Sequence, residues 1–318
     1  MRRLLLRLAM LALGLMVGTM FAELALRLSL PAKFTLGGET MNFAAGTLSS
    51  FAADPEVGYL PRLNSPEYDA DGCLRNSYPR QKVPGRLRVL FIGDSVTHRG
   101  QIVKALRELY GESLEYWNAG VEGFNTAQEV ELFLRHNHRI QPDHVVLTFH
   151  PNDFLPTPLV YNDAQGHMQL LIPHRERKAM NPWLFSRSHL YRLLLGLTWK
   201  RGQGQRVEEV RAQLQRLQSD LDARGVQLSV LMLPYIKPYR RWDRAERWNH
   251  AQGLALLKEL KLRTFDLAPL MEQRAAAGGE HGESPGDAWH PNLETARAFA
   301  KKLKQEGLLD PRGSLKRE

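Results

Sequence analysis

Residues 87–95 read Leu-Arg-Val-Leu-Phe-Ile-Gly-Asp-Ser, a short apolar run that Gly93 breaks and that Asp94 and Ser95 end. Leu87–Ile92 has the length and composition of a buried strand. Further strands are expected at Leu114–Trp117, His144–Phe149, Val226–Leu233 and Leu262–Phe265. Helices are expected near Gln101–Tyr110, Thr126–His138 and Val207–Arg224, with a last one after Pro291. Strands separated by helices imply an α/β fold with about five mainly parallel strands joined by right-handed crossovers. A serine where a strand turns into a helix then sits at the carboxyl edge of the sheet, where open α/β folds bind ligands. Its hydroxyl is a weak nucleophile and needs a base and oxyanion donors.

Three later blocks carry suitable partners: Asn118-Ala-Gly120-Val-Glu-Gly123, His150-Pro-Asn152-Asp153, and Asp287-Ala-Trp289-His290-Pro291-Asn292. Together with Gly93-Asp94-Ser95, and in that order, they resemble the SGNH (GDSL-type) hydrolase family over roughly residues 86–306. The resemblance implies a flavodoxin-like three-layer sandwich. It makes Ser95 the nucleophile, His290 the base and Asp287 its orienter. Backbone N–H groups of Ser95 and Gly123 and the side chain of Asn152 then form the oxyanion hole, while Asp94 holds the turn around Ser95. No metal or organic cofactor is implied.

The chain departs from the family pattern at two places. His150 and Arg99 stand where members often have glycine. Neither change removes a catalytic atom, and both add bulk beside the pocket. His150 and Trp289 are accordingly candidate pocket residues, set against ordinary packing. Asp287 and His290 are three apart in a loop rich in Gly and Pro, which lets the carboxylate reach Nδ1 while Nε2 faces Ser95. Taken alone, the same spacing also fits a surface Asp–His pair near a helix start.

The formal charge of +9 favours anionic partners such as lipid head groups or acidic glycans. The basic residues are scattered and no nucleic-acid module is visible, so nucleic acid is not an expected partner. Cys73 is the only cysteine, so no intrachain disulfide forms. His136 and His138 diverge on a helix and make a poor metal pair.

Arg2, Arg3 and Arg7 precede an uncharged run from Leu8 to Ala22. Residues 1–30 are expected to form a signal anchor, with the amino terminus inside and the catalytic domain outside, periplasmic or extracellular. A cleaved signal peptide is the competing reading, with Ala22 closing a passable site. No cysteine near the run allows a lipoprotein anchor. Residues 31–85, rich in turn formers, are expected as a connector, and 86–310 as the hydrolase domain. An insertion at 154–204 contains Trp183, Leu184, Phe185, Leu190, Leu194 and Trp199. It reads as a helix capping the sheet, a membrane-facing helix, or a lid.

The expected function is a serine esterase acting outside the cytoplasmic membrane on an acylated, for instance acetylated, envelope glycan or lipid. An O-acyltransferase would use the same triad. A non-catalytic glycan-assembly scaffold would share the anchor and charge but has no need of the full residue set. The sequence names no protein partner.

Overall fold

Along the strand Leu87–Gly93, Val89 and Phe91 point to one side and Leu90 and Ile92 to the other, and all four are buried. Alternation that is apolar on both faces requires cover on both faces. The computed structural model shows that cover. It describes residues 2–29, 50–54, 56–155, 157, 159–162, 168–171, 181, 184, 187–197 and 205–310. The chain divides into two units, residues 1–59 with 156–202 and residues 60–155 with 203–318.

In the first unit, α1 (Arg2–Ser29) is long and apolar enough to cross a membrane. The short strand β1 (Phe51–Asp54) follows and pairs with β2 (Gly58–Pro61), along which the division between the units falls. The second unit holds β3 (Leu87–Gly93), α2 (Ser95–Arg99), α3 (Gln101–Tyr110), β4 (Leu114–Gly120), α4 (Thr126–Arg135) and β5 (His144–Phe149). The first unit then resumes with β6 (Leu159–Asn162) and β7 (Met168–Leu171), an antiparallel pair, and α5 (His189–Leu197). Back in the second unit are α6 (Gln205–Arg224), β8 (Gln227–Met232), α7 (Arg244–Glu259), β9 (Arg263–Asp266), α8 (Ala268–Ala277) and α9 (Leu293–Gln305).

The five-stranded sheet has the order β4-β3-β5-β8-β9, and every neighbouring pair is parallel. This is the doubly wound order in which the chain reverses direction across the sheet between β3 and β5, opening a crevice at their carboxyl ends. Two apolar layers flank it. One joins Leu90, Ile92, Val145 and Leu147 to Phe133 of α4 and Leu214 of α6. The other joins Val89, Phe91 and Val146 to Leu106 of α3 and to Phe299 and Leu303 of α9. The expected five-stranded α/β architecture is therefore present.

Several boundaries differ from expectation. Residues 60–85, anticipated as connector, belong to the unit that holds the sheet, with Tyr68 and Cys73 fully buried. Arg88, also fully buried, explains the attachment. Its Nε donates to Glu115 Oε2 at 2.6 Å and its Nη2 to the Pro79 carbonyl at 3.0 Å, satisfying a charge that is costly to bury unpaired. Helix α5, within the insertion, belongs to the same unit as α1. Glu23 of α1 accepts from the N–H groups of His189 and Leu190, both at 2.9 Å, and from Ser188 Oγ at 2.8 Å. A carboxylate there satisfies donors that the first turn of α5 leaves open. Trp183, Phe185, Trp199 and the stretch 30–49 lie outside the described residues.

Candidate active site

The turn after β3 leaves no room for a side chain at Gly93. A Cβ there would lie 1.9 Å from Thr148 Oγ1 and 2.2 Å from Thr97 Oγ1. Asp94 caps the short helix that follows, its Oδ1 accepting from Val96 N at 2.9 Å. Ser95 is the first helical residue, so its N–H has no partner within the helix.

The loop between α8 and α9 brings His290. Its strand-like bridge between Gly282 and Pro291, with Glu283 N donating to His290 O at 2.9 Å, closes the segment on itself. Ile236 N donates to Ala288 O at 2.7 Å and ties the loop to the chain leaving β8. In this frame His290 Nε2 stands 2.9 Å from Ser95 Oγ, and His290 Nδ1 stands 3.0 Å from Asp287 Oδ2. Nδ1–H donates to the carboxylate, which leaves Nε2 as the acceptor for the serine proton. Burial pushes the Asp287 carboxyl up, but the N–H groups of Trp289 and His290 and the imidazole itself hold it below the usual carboxylate range.

Asn152 lies in the helical turn after β5, beside β3 in the sheet. Its Nδ2 donates to Asp94 Oδ2 at 2.9 Å, and its Oδ1 faces His150 Nδ1 at 3.0 Å. A carbonyl oxygen only accepts, so His150 carries its proton on Nδ1. Burial lowers the His150 pKa and keeps the ring neutral. Held at both ends, the amide has one orientation and one N–H left over. Gly123 follows β4, whose Gly120 pairs with Gly93. At φ +73° it occupies a conformation that disfavours any side chain, and its N–H has no partner among the described residues.

The pocket expectation divides between its two residues. Trp289 is 42 % exposed, next to His290. His150 is 0 % exposed, its ring 5.1 Å from Trp289 and 5.4 Å from Tyr235. It lies behind the surface, and its polar contact is with Asn152. Three neighbours were not anticipated. Tyr235 packs edge-on to Trp289 at 5.1 Å. Glu283 accepts from Arg99 Nη1 at 2.6 Å and from Gln101 Nε2 at 3.0 Å. Glu129 of α4 is buried beside Asp153, with no hydrogen bond to either carboxylate oxygen among the described residues. Only the glycine usually expected at position 99 hinted that Arg99 had local work to do. Among the described residues no cluster of three or more His, Cys, Asp or Glu side chains could hold a metal ion.

No family model matches the chain, and no curated protein matches it. Among solved structures it is similar to an acetylxylan esterase from Geobacillus stearothermophilus, with 16 % identity, 70 % of this chain and 94 % of that one covered, and a TM-score of 0.45. It is also similar to the acetyl xylan esterase AlAXEase, with 15 % identity, coverage of 70 % and 100 %, and a TM-score of 0.46. A third is LAE5, an α/β hydrolase from the metagenome of Lake Arreo, Spain, with 16 % identity, coverage of 73 % and 99 %, and a TM-score of 0.46.

Proposed function

We propose that the chain is a serine ester hydrolase of the SGNH type that removes acyl groups, acetyl foremost, from a glycan outside the cytoplasmic membrane. The observation that carries this reading is the unbroken contact from Ser95 Oγ through His290 to the Asp287 carboxylate, at 2.9 and 3.0 Å. Ser95 Oγ attacks the ester carbonyl while His290 Nε2 takes its proton. The carbonyl oxygen becomes an oxyanion and is met by the N–H groups of Ser95 and Gly123 and the remaining N–H of Asn152. Asp287 stabilises the imidazolium so formed. His290 then returns the proton to the leaving alkoxide, and the acyl group stays on Ser95. Water attacks the acyl-serine with His290 again as base, the free acid departs, and Ser95 regains its proton.

The apolar α1 supports attachment to a membrane, and the arginines at its start favour a cytoplasmic amino terminus. The exposed Trp289 beside the base supports a ring-bearing acceptor over a plain alkyl chain. A fluorophosphonate probe tests the core of the reading. It is expected to label the wild type and to leave both Ser95→Ala and a denatured sample unlabelled. Equal labelling of Ser95→Ala would overturn the mechanism.

A further inference from the structure

The segment that leaves the carboxyl end of β8 is unusually basic. Within residues 237–247, Lys237, Arg240, Arg241, Arg244 and Arg247 stand against only Asp243 and Glu246. Those acids are already engaged. Glu246 accepts from Lys237 Nζ at 2.6 Å, and Asp243 caps α7 by accepting from Glu246 N at 2.8 Å. The nearby Glu272 accepts from Tyr239 N at 2.6 Å. Arg240, Arg241 and Arg244 are exposed and make no side-chain hydrogen bond or ion pair among the described residues. Arg244 opens α7 and Arg247 lies in its first turn, at the helix end whose dipole disfavours cations. Folding gains nothing from this concentration of like charge, so its use lies in what it attracts.

The same segment leads to the catalytic histidine. Trp289 is 5.1 Å from Tyr235, Tyr235 is 5.2 Å from Trp242, and Trp242 is 5.0 Å from Tyr239, centroid to centroid. Tyr235 and Trp242 are buried and rigidify the row, while its ends, Trp289 and Tyr239, are exposed. Arg247 lies over Tyr239, with Cζ 5.8 Å from the ring centroid. Flat aromatic faces suit the C–H faces of sugar rings, and guanidinium forks suit carboxylates. The large apolar side chains exposed here, Tyr239, Trp248 and Trp289, are aromatic. No aliphatic stripe of the kind that seats in a lipid surface accompanies the arginines.

We infer that the surface from Trp289 to Arg247 is a subsite for an anionic polysaccharide, in which Arg240, Arg241 and Arg244 bind carboxylates of uronate residues flanking the acylated sugar. This rests on the hydrolase reading for the acyl group but not for the binding. The test uses the full chain in detergent with size-matched acetylated oligogalacturonates and acetylated xylo-oligosaccharides. The charge-reversed variant carries Arg240→Glu, Arg241→Glu and Arg244→Glu, and a second variant carries Gln at the same three positions.

The Glu variant is expected to raise KM for the galacturonate substrate about tenfold or more. The Gln variant should do so by less, and both should leave the xylan substrate and p-nitrophenyl acetate unchanged. Added salt should erase the wild-type preference for galacturonate. Unchanged KM on galacturonate in both variants would overturn the subsite. So would variants that lose only binding to phosphatidylglycerol vesicles, which would make the patch a lipid contact. Calorimetry of unacetylated oligogalacturonate on Ser95→Ala separates the two proposals. Binding there that depends on the arginines would sustain the subsite, and a wild type that hydrolyses none of the acetylated substrates would at the same time sink the hydrolase.

Discussion

Arg99 Nη1 donates to Glu283 Oε2 at 2.6 Å and thereby joins the helix that begins at Ser95 to the loop that carries Asp287 and His290. Gln101 adds a second donor to the same carboxylate at 3.0 Å. Ser95 and His290 come from segments far apart in sequence, so their alignment depends on such cross-links. The pair is partly exposed, and its coupling in a double-mutant cycle of Arg99→Ala and Glu283→Ala is expected at about 0.2–1 kcal/mol. The loss should fall on kcat rather than KM, by up to about fivefold, because displacement of the loop harms alignment more than binding. An effect confined to KM would mark Arg99 as a substrate contact.

Removing the nucleophile tests whether the three residues act together. Ser95→Ala is expected to lower ester turnover by roughly 10³-fold or more with the fold intact, as loss of a triad member does. His290→Ala should cost a comparable factor, and the double variant no more than either alone. Losses that multiply would place the two residues in separate steps.

On the proposed mechanism the Asn152 side chain donates to the oxyanion, and Asn152→Ala is expected to reduce kcat by about 10²–10³-fold. His150→Ala should cost less and in kcat also, because the Asn152 amide then loses the donor that fixes its orientation. A His150 variant altered in KM alone would instead mean that the ring moves out to meet substrate.

A buried carboxyl group should shape the pH dependence of stability. Glu129 is 1 % exposed, and its carboxyl is pushed well above the usual range by burial and then by the nearby charges of Asp153 and Asp94. Asp153 has donors in His150 N at 2.6 Å and Thr126 Oγ1 at 3.0 Å, so Glu129 is the member that keeps the proton. The folded state therefore holds a proton that the unfolded state gives up near the ordinary carboxylate pKa. Stability from this group is full below that pKa and declines as pH rises towards the folded value, by about 1.4 kcal/mol per pH unit within the window. Glu129→Gln should lessen that decline, gaining on the wild type in urea unfolding at pH 8 relative to pH 5. A parallel pair of pH profiles would show Glu129 ionised in the fold.

The sequence exposed the central strands β3 and β5 because each is a short apolar run bounded by turn formers, and buried parallel strands leave that trace directly. The β5 strand His144–Phe149 has the bounds expected of it. The four site blocks were legible for a related reason. The first three follow strands, where chemistry and turn geometry both restrict the residue, and the fourth, Asp287 to Asn292, is marked by its glycine- and proline-rich loop. The segment Leu60–Gly85 was not legible as part of the same unit, because it is held by buried polar contacts such as Arg88 to the Pro79 carbonyl rather than by a periodic apolar face. Helix α7 was missed although Asp243 and Glu246 form a capping box at its start, a signal the sequence does carry. The Arg99–Glu283 contact spans 184 positions of sequence, and no local pattern announces such a pair.

The expectation that the unit holding Ser95 lies outside a membrane rests on α1. Three of its arginines, Arg2, Arg3 and Arg7, lie at its start, while Glu23 and Arg27 near the other end pair with each other and Glu23 also caps α5. Charge at the first end favours retention in the cytoplasm, and the segment 156–202 travels with the far end as part of one unit. An alkaline phosphatase fused after Glu318 is expected to be active, and a green fluorescent protein at the same place dark when export is by the general secretory route. Sequencing of the mature amino terminus should find Met1 or Arg2, with the protein released from membranes by detergent and not by salt. A salt-soluble form beginning near Glu23 would show that α1 is a cleaved leader and the enzyme secreted. A fluorescent fusion in the cytoplasm would overturn both, and with them the assignment of an envelope glycan as substrate.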